Sequence, residues 1–281
     1  MTEPTINLDC IARSIAIVSD LHAGSDFAVW PHDDVINSTG NNITDSRNDS
    51  QVYLADCWEN YIEECDAYNV DTVINLADSC QGVNYKDGGR ACITPDLELQ
   101  KDAAEALLLP IVYGRNYIGF SGSKYHQSMD TKVHRDLARR VKPIAKSSSF
   151  YGAIANLRLK GTDKVANIAH ASTSAMLYPS TALDRERIFL KVAEARDVLP
   201  KIDIMIRGHL HKYMTLRYSD MTIIQSPCWQ AWYPLGTKMK LYGKHQPDIG
   251  ALILLIDNNG GIHVEEFMYK APHVIDKLRE G

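Results

Sequence analysis

The sequence predicts an α/β protein with two packed β-sheets. Three observations carry that expectation. Strand-like apolar runs alternate with helix-periodic segments through the first half of the chain. The second half is rich in short β-type runs joined by hairpin-like connections. Run after run stops on an Asp, Asn or His. Strand–helix alternation followed by hairpins suits two sheets packed in layers, and open α/β sheets collect ligands at the carboxyl ends of their strands.

The first strand is Ser14–Val18, which runs into Ser19-Asp20-Leu21-His22. Strand side chains alternate, so Asp20 and His22 start on one side and the turn can aim both at one point. The polar stretch from Gly24 to Asn48 follows. A loop of that length is functional or mobile in most compact domains; Asp33 and Asp34 within it read as solvated. Apolar positions from Val52 to Ile62 recur at helical spacing, with Trp58 and Tyr61 read as core. Val70–Leu76 is the second strand and ends at Ala77-Asp78. A helix over about 95–107 precedes a third strand, Leu109–Tyr113, ending at Gly114-Arg115-Asn116-Tyr117. Another helix is expected over 126–142, with Pro143 as its stop. Two β-type runs, 151–159 and 164–170, end on His170. After a helix over about 183–199, the strand 202–207 ends at Gly208-His209-Leu210-His211. Strands near 213–218, 221–225, 251–256 and 262–267 complete the pattern.

Composition narrows the function. The chain has 281 residues and a net charge of -5, without the basic footprint of a nucleic-acid-coating module. The local basic cluster from Lys132 to Lys146 reads as a solvated helix face. No apolar run approaches the roughly eighteen residues of a membrane span, and Met1–Thr5 lacks the charged-then-apolar pattern of a secretory leader. Six cysteines without a Cys-x-x-Cys pair read as free thiols. The expectation is one cytoplasmic domain, in a host cytoplasm if the chain is virus-encoded, with no membrane partner. Oligomeric state is left open.

The strand ends together supply Asp20, His22, Asp78, Asn116, His170, His209 and His211. One divalent ion takes roughly four to six donors, so this set suits two ions better than one. The mixture of imidazole and carboxylate favours Mn, Fe, Zn or Ni, with Mn placed first, over pure Ca or Mg sites. Two such ions side by side form a device for phosphoryl transfer. Aromatic residues Trp229, Trp232 and Tyr233 could stack on a base or pack beneath the sheet.

Asp20-x-His22, Asp78, Asn116, His170 and Gly208-His209-x-His211 resemble, in order, the motifs of the calcineurin-like metallophosphoesterase superfamily. Ser19–Gly24, Gly114–Gly122, Ile206–His211 and Pro227-Cys228-Trp229-Gln230 are similar to its phage and prophage branch. The resemblance covers about residues 14–268. It implies a β-sandwich flanked by helices in four αββα layers, and a dinuclear site. Asp20, His22 and His211 would hold one metal, Asn116, His170 and His209 the other, and Asp78 would bridge. It further implies a hydrolase in which a metal-bridging hydroxide attacks a phosphodiester or a nucleotide-type phosphoester. Nucleotide or nucleic acid is then the expected partner. The departures lie mainly in the third motif, where Gly114-Arg115-Asn116-Tyr117 stands for Gly-Asn-His. Asn116 is reached by a one-residue shift, and no His follows it. Arg115 could grip phosphate oxygens; Tyr117 or His126 could stand for the missing His. That gap motivates an alternative: a metal-binding scaffold or nucleotide-binding module with little hydrolytic activity.

Overall fold

A computed structural model describes residues 11–83, 92–126, 132–170, 179–231 and 246–272. In chain order the elements are β1 (Ile11–Val18), α1 (Asp49–Ala67), β2 (Thr72–Asn75), α2 (Leu97–Val112), β3 (Asn116–Gly119), α3 (Val133–Arg140), β4 (Ser147–Phe150), β5 (Ile154–Arg158), β6 (Val165–Ala169), α4 (Pro179–Ala195), β7 (Ile204–Arg207), β8 (Met214–Arg217), β9 (Thr222–Gln225), β10 (Ile249–Asp257) and β11 (Ile262–Tyr269). A six-stranded sheet has the order β11-β10-β1-β2-β3-β4, and a five-stranded sheet the order β5-β6-β7-β9-β8. Strands β1 to β4 run parallel, as do β6, β7 and β9; β5, β8, β10 and β11 pair antiparallel with their neighbours.

The alternation of strand side chains sorts the core into three layers. Ile15, Ile17, Leu252, Leu254 and Ile74 of the first sheet meet Ile168, Ile204, Ile206 and Ile224 of the second, forming the filling between the sheets. The intervening residues Ala16, Val18, Val73, Ala251 and Ile253 face outward and pack under α1, α2 and α3. On the other side Met205, Val165 and Ile223 pack under Leu183 and Leu190 of α4. Both faces of each sheet are therefore covered, which is why these strands read as continuous apolar runs. The αββα layering is the one the resemblance implies.

Helix α1 starts on a reciprocal cap: Asn48 Oδ1 accepts from the Gln51 N–H at 3.0 Å, and Gln51 Oε1 from the Asn48 N–H at 3.2 Å. Trp58 and Tyr61 are buried, and Trp229 meets Trp58 edge-on at 4.9 Å, so Trp229 is core. Trp232 and Tyr233 lie outside the described residues. The 24–48 segment is packed: Trp30 is fully buried, and its Nε1–H donates to Thr44 Oγ1 at 3.1 Å. Of the basic 132–146 cluster, Arg140 is paired with Asp102 and Glu105, and His134 is buried.

One expectation fails here. Leu109–Tyr113 is not a strand; α2 runs on through it to Val112. Leu99, Ala103, Ala104, Leu107, Leu108, Ile111 and Val112 form one buried helical stripe, whose burial at about 1.5–3 kcal/mol per large side chain outweighs the roughly 3 kcal/mol cost of Pro110 inside the helix. The third strand is instead Asn116–Gly119, so Asn116 moves from a strand's end to its beginning. The helix expected over 126–142 begins at Val133, and β4 was not anticipated.

Candidate metal centre

Two parallel strand pairs, one from each sheet, end on the same edge of the sandwich: β1 with β2, and β6 with β7. Past β1 and β2 the chains stay paired, through Asp20 N–H to Ala77 O and His22 N–H to Asp78 O, both 2.9 Å. The two sheets are tied together at this edge. His209 N–H donates to Asp20 Oδ2 at 2.9 Å, and His170 Nδ1–H to Leu76 O at 2.8 Å. Ser19 Oγ–H also donates to Asp20 Oδ2. Gly208 is needed for this closure, since a Cβ there would lie 2.2 Å from Ser19 Oγ.

The backbone is bent to bring these side chains together. Asp20, His22, Ala77, Asp78, His209 and His211 all have positive φ, between 48° and 90°, against only Asn69 and Asp197 among the other described non-glycine residues. Each such residue costs on the order of 1–3 kcal/mol, and such strain collects at functional sites.

Three donor groups result: Asp20 with His22 and His211; Asp78 with His170 and His209; and His22 with Asp78 and His126. Asp20, His22, Asp78 and His170 are buried and form the floor, while His126, His209 and His211 are partly exposed and form the rim. In the first group, His211 Nε2 lies 3.1 Å from Asp20 Oδ1 and 3.1 Å from His22 Nε2, and His22 Nε2 lies 3.5 Å from Asp20 Oδ1. Donors bound at about 2.1 Å to one ion sit roughly 3.0–3.4 Å apart in octahedral or tetrahedral geometry. The triangle is the size an ion needs.

The second group makes the same case by its hydrogens. With Nδ1–H spent on Leu76 O, His170 Nε2 presents a lone pair. It stands 2.9 Å from Asp78 Oδ2, another acceptor. Both atoms are buried, and neither has a hydrogen-bond partner among the described residues. Two facing lone pairs in a buried site require a cation between them, either a proton or a metal ion. In the metal-free protein the proton takes that place: burial disfavours charge on His170, but Asp78 and Asp20 outweigh it and lift the imidazole to about 9. Burial likewise pushes the Asp78 and Asp20 carboxyls up, and the neighbouring imidazoles, His170 foremost, overcome it and hold both well below the usual carboxylate range. His22 is driven down to about 3 by burial, with His126 adding to the effect. The donor set is thus ionised carboxylates beside imidazoles, with a proton on His170 where an ion would bind, and that mixture fits divalent first-row ions.

The third-motif residues go elsewhere. Asn116 is at the opposite end of β3, where its Nδ2–H donates to Asp71 O at 3.0 Å and its Oδ1 accepts from Ser147. Arg115 holds the carbonyls of Val70 and Ile111 and the Asp66 carboxylate. Neither reaches the donor groups, because the strand they were thought to terminate is the end of α2. Tyr117 is buried with its hydroxyl on the Asn75 amide, which also holds Ser79 Oγ, and burial pushes its hydroxyl pKa up. The true end of β3 brings Phe120–His126 to the site instead. Gly122 packs on Asp78, and the Ser123 N–H donates to Asp78 Oδ1 at 2.8 Å. His126 donates Nδ1–H to Gln81 O at 2.6 Å and meets the His22 ring edge-on at 4.4 Å. That leaves its Nε2 without a hydrogen-bond partner among the described residues. His134, which sequence reasoning did not single out as a site residue, accepts the Ser79 N–H at 3.0 Å and so braces the Asp78 turn from α3. The misplacement of that strand hid the part that Gly122 and Ser123 play in seating Asp78, whereas His126 was already a candidate for the missing third-motif His.

No family profile and no curated protein sequence matches the chain. Solved structures do. An archaeal phosphodiesterase aligns at 15% identity over 90% of this chain and 99% of its own, with a TM-score of 0.43. Vps29 from Entamoeba histolytica, solved with zinc, aligns at 12% over 90% and 99%, with a TM-score of 0.37. A putative 5'-nucleotidase from Staphylococcus aureus aligns at 12% over 94% of this chain and 56% of its own, also with a TM-score of 0.37. Likeness at this level carries no argument about residues or substrate.

Proposed function

We propose that the protein is a metal-dependent phosphoester hydrolase with two divalent ions, Mn foremost, one held by Asp20, His22 and His211 and the other by Asp78, His170 and His209, with Asp78 between them. The observation that carries this reading is the buried approach of His170 Nε2 to Asp78 Oδ2, 2.9 Å apart, where a proton or a metal ion must sit, beside a second triangle of ion-sized donor spacing. Ions in these places would supply Lewis-acid neutralisation of phosphate charge and a water of lowered pKa. The chain's own residues do the rest. Hydrogen bonds from Ser19, from the His209 N–H and from the Ser123 N–H fix the two carboxylates. The Leu76 carbonyl fixes the tautomer of His170. His126 stands at the rim, and its imidazolium would give the Nε2 proton to the leaving-group oxygen, the role for which Tyr117 and His126 were the candidates. A phosphodiester or nucleotide-type substrate, and kinship with the phage branch, rest on the sequence resemblance alone.

One observation favours a second reading. The loop after β3 gives the second donor group a backbone N–H from Ser123 in place of a ligating side chain. A scaffold that binds metal and turns over slowly would have that deficiency. Hydrolysis of bis-p-nitrophenyl phosphate and of the p-nitrophenyl monoester, with Mn and with chelator, decides between them. Turnover that needs Mn and is lost in His209→Ala supports the hydrolase. Metal binding without turnover of either ester supports the scaffold.

A further inference from the structure

The far end of the sandwich holds a cavity of about 740 Å³. It opens between β4 and β5, the edge strands of the two sheets, at the beginnings of β2, β3 and β4. The metal centre lies past the opposite ends of the same strands, roughly 10 Å or more away along β2 alone. The two sites are therefore separate.

Four cationic side chains line this cavity: Arg13, Lys146, Arg158 and Lys160, against one carboxylate, Asp71. That carboxylate is already committed. It accepts from Arg13 Nε and Nη2 and from the Ser14 N–H. The side chains of Lys146, Arg158 and Lys160 have no hydrogen-bonding or ionic partner among the described residues. On a chain of net charge -5, three uncompensated cations around one concavity make a local field of the opposite sign, which concentrates anions. The floor is apolar, with Ile118 and Leu157 partly exposed to it, and the volume falls within the roughly 300–1,000 Å³ of small-molecule sites. Ser149 adds a hydroxyl at the β4 edge, while the Ser147 hydroxyl is spent on Asn116 Oδ1. A half-open concavity of this size suits a small molecule with its charged end at the rim.

We propose that this cavity binds a small molecule bearing two or more phosphate charges, gripped by Lys146, Arg158 and Lys160. Recognition needs neither the metal centre nor the hydrolytic reading. The test uses the full chain, stripped of metal with chelator and then dialysed, so that phosphate cannot be held through ions. Pyrophosphate and ADP are titrated into it by calorimetry. The expected result is saturable one-to-one binding of pyrophosphate that weakens as salt rises and falls at least tenfold in Lys146→Ala/Arg158→Ala. Both side chains are exposed, so the double variant should melt where the wild type does; the milder pair Lys146→Gln/Arg158→Gln repeats the test if it does not. Tighter binding of ADP would assign the apolar floor to a nucleoside, and equal binding would assign a free polyphosphate. No binding to metal-free protein, or binding unchanged in both double variants, overturns the proposal.

Discussion

Replacing Gly122 by alanine should dismantle the second metal position while adding a single methyl group. The new Cβ would lie 1.9 Å from Asp78 Oδ1, 2.9 Å from its Cγ and 2.8 Å from its backbone nitrogen. The contact with the carboxylate oxygen could be relieved by turning the side chain, but the contact with the backbone cannot. Relief must move the β3–α3 loop off the Asp78 turn. That breaks the 2.8 Å bond from the Ser123 N–H to the carboxylate, a charge-assisted bond worth about 1.5–3 kcal/mol. Forcing a methyl into a packed site adds about 1–3 kcal/mol. The two overlap, so the expected loss is about 2–4 kcal/mol of stability in the metal-free protein. Because a displaced carboxylate also loses its aim, Mn affinity should fall by about 10–100-fold, as when outer partners of a metal ligand are removed. Urea unfolding of the metal-free protein reads the first quantity and calorimetric Mn titration the second. Wild-type Mn affinity in Gly122→Ala would refute the claim that this loop seats Asp78.

Three other outcomes follow from the same geometry. Arg115→Ala should cost about 1.5–3 kcal/mol of stability, since Arg115 holds the carbonyls of Val70 and Ile111, yet leave kcat and Mn affinity unchanged; a loss of kcat in a folded variant would return Arg115 to the site. His126→Ala should keep both metal ions but slow the cleavage of alkyl phosphodiesters by about 100-fold or more, with a smaller effect on p-nitrophenyl esters, whose leaving group needs no proton; loss of a bound ion would make His126 a ligand instead. His134 sets an acid limit: burial pulls its pKa from 6.5 to about 4, with Asp78 opposing and His170 and His126 assisting. The fold holds it neutral and the unfolded chain protonates it below 6.5. Its contribution is therefore full above that pH and is lost as pH falls towards 4, by about 3 kcal/mol in all. Urea unfolding of metal-free wild type and His134→Gln at pH 7.5 and 4.5 should show the stability gap between the two proteins shifting by that order, and a constant gap would contradict the assignment.

The legible parts of the sequence were those where burial and chemistry coincide. Ser14–Val18 and Ile202–Arg207 announce themselves because a parallel strand covered on both faces is apolar throughout, and the residues that follow each run are donors. The stretch Leu107–Val112 misled because it too is a short apolar run, and periodicity alone does not separate a buried strand from the last turns of a buried helix. Pro110 and the nearby Gly114 favoured the wrong choice, and Arg115 and Asn116 followed it. Strand β4, Ser147–Phe150, gave no signal, since three serines have little β preference and the strand lies on a sheet edge. His134 was hidden for another reason. It serves the site through a backbone N–H, and no side-chain pattern marks such a partnership.

The central claim is that Asp20, His22, Asp78, His170, His209 and His211 form one metal centre. Its most direct test is the Mn stoichiometry of the wild-type chain, by calorimetry with elemental analysis of the dialysed protein, set beside Asp78→Asn. The account predicts two ions per chain in the wild type and loss of at least one in the variant. No bound ion in the wild type after Mn addition, or two retained tightly in Asp78→Asn, would contradict it.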